Sequence, residues 1–168
     1  KQRWSELHTE IQALEAIEEL GNKSSLNPQK GEALMARAYN HFMLLQFFSL
    51  AYNPSTADKT LGIPYVKEVE KSLNKKYTRQ SVKEVMTFIE HDLEEGLKLV
   101  GNDYAQKKYH FTKNAAHAFA TRFYLVKGDW NKVIENAGYL GSSPINLRDY
   151  QAWSKLGIYE RLANYSSS

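Results

Sequence analysis

The sequence predicts an all-α protein built from antiparallel helix hairpins. Three observations carry that expectation. Apolar residues recur every three or four positions through most of the chain, capping residues stand where those runs begin, and no stretch alternates apolar and polar residues as a half-buried strand would. The 168 residues can bury one core and are too few for two independent domains, so residues 1–168 read as a single helical domain.

The first run places Trp4, Leu7, Ile11, Leu14, Ile17 and Leu20 on one stripe, with glutamates between them, and stops at Gly21-Asn22. Asn27-Pro28 offers an N-cap and a first-turn proline to a second helix that reaches about Leu50. That helix is apolar nearly all round, through Leu34, Ala38, Tyr39, Phe42, Met43, Leu45, Phe47 and Phe48, and is expected at the centre of the fold. Residues 51–79 break the pattern with Pro54, Gly62 and Pro64. A loop of that length is usually either functional or disordered.

A third helix starts at Ser81, where Glu84 completes a capping box; it carries Val82, Val85, Ile89, Leu93, Leu97 and Val100 on one face and ends at Gly101-Asn102. Thr112 can cap a fourth helix, whose Ala115, Ala116, Ala118 and Ala120 let a neighbour approach closely. In RFYLVKGDWNKVIENA, residues 122–137, Gly128 can end that helix in the left-handed conformation while Asp129 caps a fifth. Two helices with so little linker must pack antiparallel. Trp130 is expected to fill the wedge between them, with Val133, Ile134, Ala137 and Leu140 also facing inward and Gly141 closing the helix. Trp130→Ala would then lower the melting temperature. Past Pro144, Tyr150, Trp153, Leu156 and Leu162 suggest one more short helix before a polar, irregular NYSSS tail.

Hairpins of this kind recur with a period of about 34 residues in tetratricopeptide arrays, where a Gly-Asp-aromatic turn is typical. The expected fold class is therefore a tetratricopeptide-like α-α superhelix, although Val133 stands where those repeats usually have alanine.

Composition removes several function classes. The 22 basic and 19 acidic residues are interspersed, which lacks the concentrated positive footprint of a nucleic-acid binder. The absence of cysteine rules out disulfides, thiolate metal sites and a cysteine nucleophile within these residues. Ala33–Tyr52 has the length of a membrane span, but Arg37, Asn40, His41 and Gln46 in its interior argue for a helix buried in protein. The first residues, KQRWSELHTE, lack the layout of a signal peptide.

Catalytic motifs are not found. There is no G-x-S-x-G elbow and no H-E-x-x-H pair, and GNKSS at 21–25 ends a helix where a phosphate loop should begin one. His91 and Glu95 stand one turn apart beside Asp92 and Glu94, a pattern read as a solvated charged face. No catalytic residue, cofactor or metal site is assigned. The 11 tyrosines, seven phenylalanines and three tryptophans are the more unusual feature. Several lie near predicted loops: Tyr52, Tyr65, Tyr77, Tyr104 and Tyr109. Such residues serve as core and rim packing or as a flat platform for a sugar ring.

Four segments in order resemble one family. GEALMARAYNHFMLLQFF at 31–48, LGIPYVKE at 61–68, TRQSVKEVMTFIEHDLEEGLKLV at 78–100 and FTKNAAHAFATRFYLVKGDW at 111–130 are similar to successive motifs of the SusD/RagB nutrient-binding outer-membrane lipoproteins. The resemblance covers about residues 4–150, the helical, tetratricopeptide-like part of that family. It implies a non-enzymatic, surface-exposed protein of a polysaccharide-utilisation system, held by a lipid anchor that is outside this chain. Such a protein captures a glycan or oligosaccharide and passes it to a SusC-like TonB-dependent transporter. Members run to several hundred residues, so the chain is expected to be a fragment of a longer protein.

The family's ligand residues form no transferable motif. Tyr52, Asn53, Asp58 and Lys59 are the candidate ligand-binding residues because they combine suitable chemistry with a place in the long loop. Arg37, Asp92 and Arg122, inside the helices, are expected to be structural, as a buried ion pair or a helix-end cap. The alternative function is a tetratricopeptide-type adaptor for protein–protein interaction, which would show a groove with regularly placed asparagines and lysines. That pattern is not visible in the sequence.

Overall fold

The computed structural model describes residues 2–72, 75–141 and 149–167; Pro144 and Ser168, at the expected break and tail, lie outside them. Among the described residues there are seven α-helices: α1 (Gln2–Glu19), α2 (Asn27–Phe48), α3 (Val82–Leu99), α4 (Lys113–Lys127), α5 (Trp130–Gly138), α6 (Tyr150–Ser154) and α7 (Ile158–Ser167). The architecture is tetratricopeptide-like and all-α. One isolated antiparallel bridge, Leu61 to Ser81, closes the base of the long loop.

The helix ends follow from local chemistry. Gly21 and Asn22 adopt positive φ after α1. The Ser81 hydroxyl accepts from the Glu84 N–H while the Glu84 carboxylate accepts from Ser81, the expected capping box. Thr112 and Asp129 cap α4 and α5 through the N–H groups of Ala115 and Lys132. Gly128 sits at φ 82°, and α4 reverses into α5 around it. Asn27 departs from expectation. A 3-10 turn at Ser24–Leu26 runs straight into α2, so Leu26 occupies the N-cap without a side-chain bond and Asn27 is already helical. Where one short C-terminal helix and an irregular tail were expected, α6 and α7 are both present, and α7 takes in residues 164–167 of that tail.

Helix α2 is central and packs against α1, α3 and α4. Met35, Ala38 and Phe42 on α2, Val85, Ile89 and Leu93 on α3, and Ala116, Ala120 and Phe123 on α4 meet in one core. The last turn of α2 leaves this core: Phe47 and Phe48 are exposed. The crossing of α2 and α3 is close enough to require glycine. A Cβ on Gly31 would lie 2.4 Å from the Val100 backbone nitrogen, and one on Gly96 would lie 3.1 Å from the Gly31 carbonyl oxygen. Two lysines then clamp the α4–α5 hairpin to α3. Lys127 pairs with Glu90, and Lys132 pairs with Glu90 and Glu94.

Trp130 is not the wedge. It is 62% exposed and Ile134 is 72% exposed. The 3.6-residue period puts Trp130, Ile134 and Ala137 on one stripe of α5 and Lys132 and Asn136 on another. The second stripe faces the neighbouring helices, because Asn136 bonds to His117 of α4 and Lys132 bonds to Glu94 of α3.

Two substitutions report this packing. Gly31→Ala should destabilise the protein by about 1–3 kcal/mol, since the intruding methyl meets backbone. Trp130→Ala should stay within about 0.5 kcal/mol of the parent. Urea denaturation of both variants checks the contrast.

Candidate functional site

Residues 49–72 and 75–81 form a strap tied across α1, α2 and α3. Its strongest tie is buried. The Arg37 guanidinium grips the Asp92 carboxylate with two bonds, Nε to Oδ2 at 2.6 Å and Nη2 to Oδ1 at 2.8 Å. The Tyr65 hydroxyl, carried in by the strap, donates to the same carboxylate. Burial, reinforced by the Asp92 charge, raises the Tyr65 pKa well above the ordinary phenol value, so the hydroxyl stays protonated.

Next to this triad the His41 ring stacks on Tyr65, 3.8 Å between centroids. Its Nε2 accepts from the Val66 N–H at 3.0 Å, which leaves Nδ1–H to donate to the Arg37 carbonyl at 2.9 Å. Burial lowers the His41 pKa to about 4, and the neutral ring is the form these two bonds need. Further out, Val69 N–H donates to Glu15 and Tyr65 N–H to the Gln80 side chain. Arg79 donates to the carbonyl of Gly62 at 2.6 Å and to those of Phe48 and Leu61. Arg37 and Asp92 thus form a buried ion pair, while Arg122 lies exposed with its guanidinium 5.9 Å from the Phe42 ring.

These ties set the near end of the strap, where the four candidate residues stand. Tyr52 is half-buried against the core. Asn53 nucleates a turn: its side-chain oxygen accepts from Ser55 N–H, and its carbonyl accepts from Thr56 and Ala57. The turn throws Asp58 and Lys59 outward, and both are exposed. Asp58 lines a cleft of about 450 Å³ with Ser81, Lys83, Glu84, Thr87 and Phe88 of the α3 N-terminus. Tyr52, Asn53 and Lys59 do not line it. Thr87 and Phe88 had no signal in the sequence, where Phe88 reads as an ordinary helix residue. Their hydroxyl and ring beside a carboxylate and an ammonium make a surface suited to a polar ligand with an apolar face.

Another cleft, between α3, α4 and α5, gathers Lys98, Asn102, Lys113, Asn114, Lys132 and Asn136. Asparagines and lysines that are scattered along the sequence therefore converge in space. No group of three or more histidine, aspartate or glutamate side chains suited to a metal occurs among the described residues.

The chain belongs to the SusD-like family: the family model described as starch-binding and associating with the outer membrane matches residues 3–125. No curated protein matches it in sequence. A SusD superfamily protein from Bacteroides vulgatus ATCC 8482 is 26% identical, with a TM-score of 0.73 over 83% of this chain and 32% of its own. One from Bacteroides thetaiotaomicron VPI-5482 shares the fold at 20% identity, with a TM-score of 0.72 over 91% of this chain and 34% of its own. A laminarin-binding SusD-like protein shares it at 17% identity, with a TM-score of 0.64 over 96% of this chain and 36% of its own. The chain thus spans about a third of the length of these structures.

The strap's anchor predicts two responses. Asp92→Ala strands the Arg37 charge in the interior and should cost about 3–5 kcal/mol of stability in urea denaturation. The folded-state pKa of His41 lies below its unfolded value of 6.5, so the unfolded chain takes up the proton first as pH falls. Stability that is fully present above pH 6.5 is lost progressively down to about pH 4, by roughly 3 kcal/mol. His41→Gln should flatten this part of the profile when denaturation midpoints are compared across that range.

Proposed function

We propose that this chain is the helical part of a non-enzymatic glycan-binding protein of an outer-membrane polysaccharide-uptake system. The observation that carries the reading is the family match across residues 3–125. The whole protein captures oligosaccharide at the cell surface and delivers it to a SusC-like TonB-dependent transporter. Attachment is through a lipidated cysteine outside residues 1–168. No helix among the described residues is long and apolar enough to cross a membrane.

On this chain the ligand meets the strap at Tyr52, Asn53, Asp58 and Lys59, where the turn built by Asn53 presents Asp58 above Thr87 and Phe88. Carboxylate, ammonium and hydroxyl groups bond sugar hydroxyls there, beside the half-buried Phe88 ring, over which the Lys67 ammonium sits at 3.9 Å. The residues act by holding and orienting the ligand.

A glycan array on the intact protein should retain starch- or laminarin-type oligosaccharides. The double change Asp58→Ala, Lys59→Ala should weaken that binding about tenfold, the loss of roughly one charged hydrogen bond, with the melting temperature unchanged. An array that retains no glycan would overturn the reading.

A further inference from the structure

The geometry points to a second oligosaccharide site, in the cleft between α3, α4 and α5, with the ring of Tyr139 as its platform. The cleft has a volume of about 600 Å³. It opens beside Lys98, whereas Asp58 sits beside Glu84; at 1.5 Å per residue these two positions on α3 are roughly 20 Å apart. The two sites are therefore separate, and this inference shares only its ligand class with the reading above.

The platform is assembled by a chain of fixed contacts. Asn136, 6% exposed, donates from Nδ2 to the Lys132 carbonyl at 2.9 Å. That bond orients the amide, so its Oδ1 accepts from His117 Nδ1–H, also at 2.9 Å. In the neutral ring His117 Nε2 is then an acceptor without a protein partner among the described residues. The Tyr139 ring lies flat on His117, with centroids 4.0 Å apart and planes 9° apart. One face of Tyr139 is therefore covered by His117, and the residue is nevertheless 61% exposed, which leaves the opposite face wet. An aromatic face held rigid and left wet is the surface on which a pyranose can lay its C–H groups, at little cost in side-chain entropy.

The cleft's polar groups agree with a neutral sugar. The amides of Asn102 and Asn114, the Lys113 ammonium and the Glu135 carboxylate all line it, supplying the mixture of donors and acceptors that hydroxyl groups require. Charge argues against an acidic peptide. Lys132 is neutralised by Glu90 and Glu94, and Lys98 by Glu95, so the apparent excess of lysine leaves little net field to attract a carboxylate.

The test is a two-dimensional NMR titration of the isotope-labelled chain with maltoheptaose, with laminariheptaose and, separately, with an acidic peptide. At least one sugar should shift the side-chain amide signals of Asn102 and Asn114 and the backbone signal of Tyr139. Tyr139→Ala should weaken that titration at least tenfold without moving the melting temperature, and Tyr139→Phe should retain it. Shifts confined to residues 52–59 would sink the second site and leave the strap reading standing. Shifts produced by the acidic peptide alone would make the cleft a peptide groove. If neither sugar moved a signal in the cleft, the second site would fall, whatever the intact protein retains on the array.

Discussion

The Asp92 carboxylate is the point on which the rest of the molecule depends. It is buried beneath α2 and α3, and a lone charge there would be untenable, so its oxygens take two bonds from Arg37 and one from Tyr65. Arg37 belongs to α2, Asp92 to α3 and Tyr65 to the strap. A single electrostatic requirement therefore fixes the register of two helices and pins an irregular segment that has no regular secondary structure to hold it. His41 extends the same logic by giving the buried Val66 N–H an acceptor.

On the proposed reading, rigidity of this kind has a functional use. A loop that must present side chains to a ligand loses less entropy on binding when it is already tied down. Here the buried end of the strap, around Tyr65 and Val66, is locked by polar bonds, while the turn at Asn53 projects Asp58 and Lys59 into water. The α3–α5 cleft repeats the arrangement with different parts. There buried Asn136 holds His117, and His117 holds the exposed Tyr139 ring. In the cleft a buried polar residue positions the surface one, whereas in the strap the exposed Asn53 shapes the turn between buried ties.

The first five helices, the capped starts at Ser81, Thr112 and Asp129 and the reversal at Gly128 were legible in the sequence, because each depends on residues within a few positions of one another. The strap was legible as a long irregular segment with a candidate turn. Its neighbours Thr87 and Phe88 were not, since nothing about their spacing marks them. Trp130 failed for a related reason: periodicity identifies an apolar stripe without saying whether a neighbour covers it, and here the neighbours meet the polar stripe of α5 instead.

Local rules thus determined the first five helices and most of their ends. Whether the long loop would be loose or anchored, and which polar residues would converge, depended on contacts between positions far apart in the chain. Arg37 and Asp92 are 55 residues apart, and Asn136 and His117 are 19 apart on facing helices. Such pairs leave no periodic trace. They become inevitable only once the helices cross, when a buried polar group left without its partner would cost more than the fold can spare.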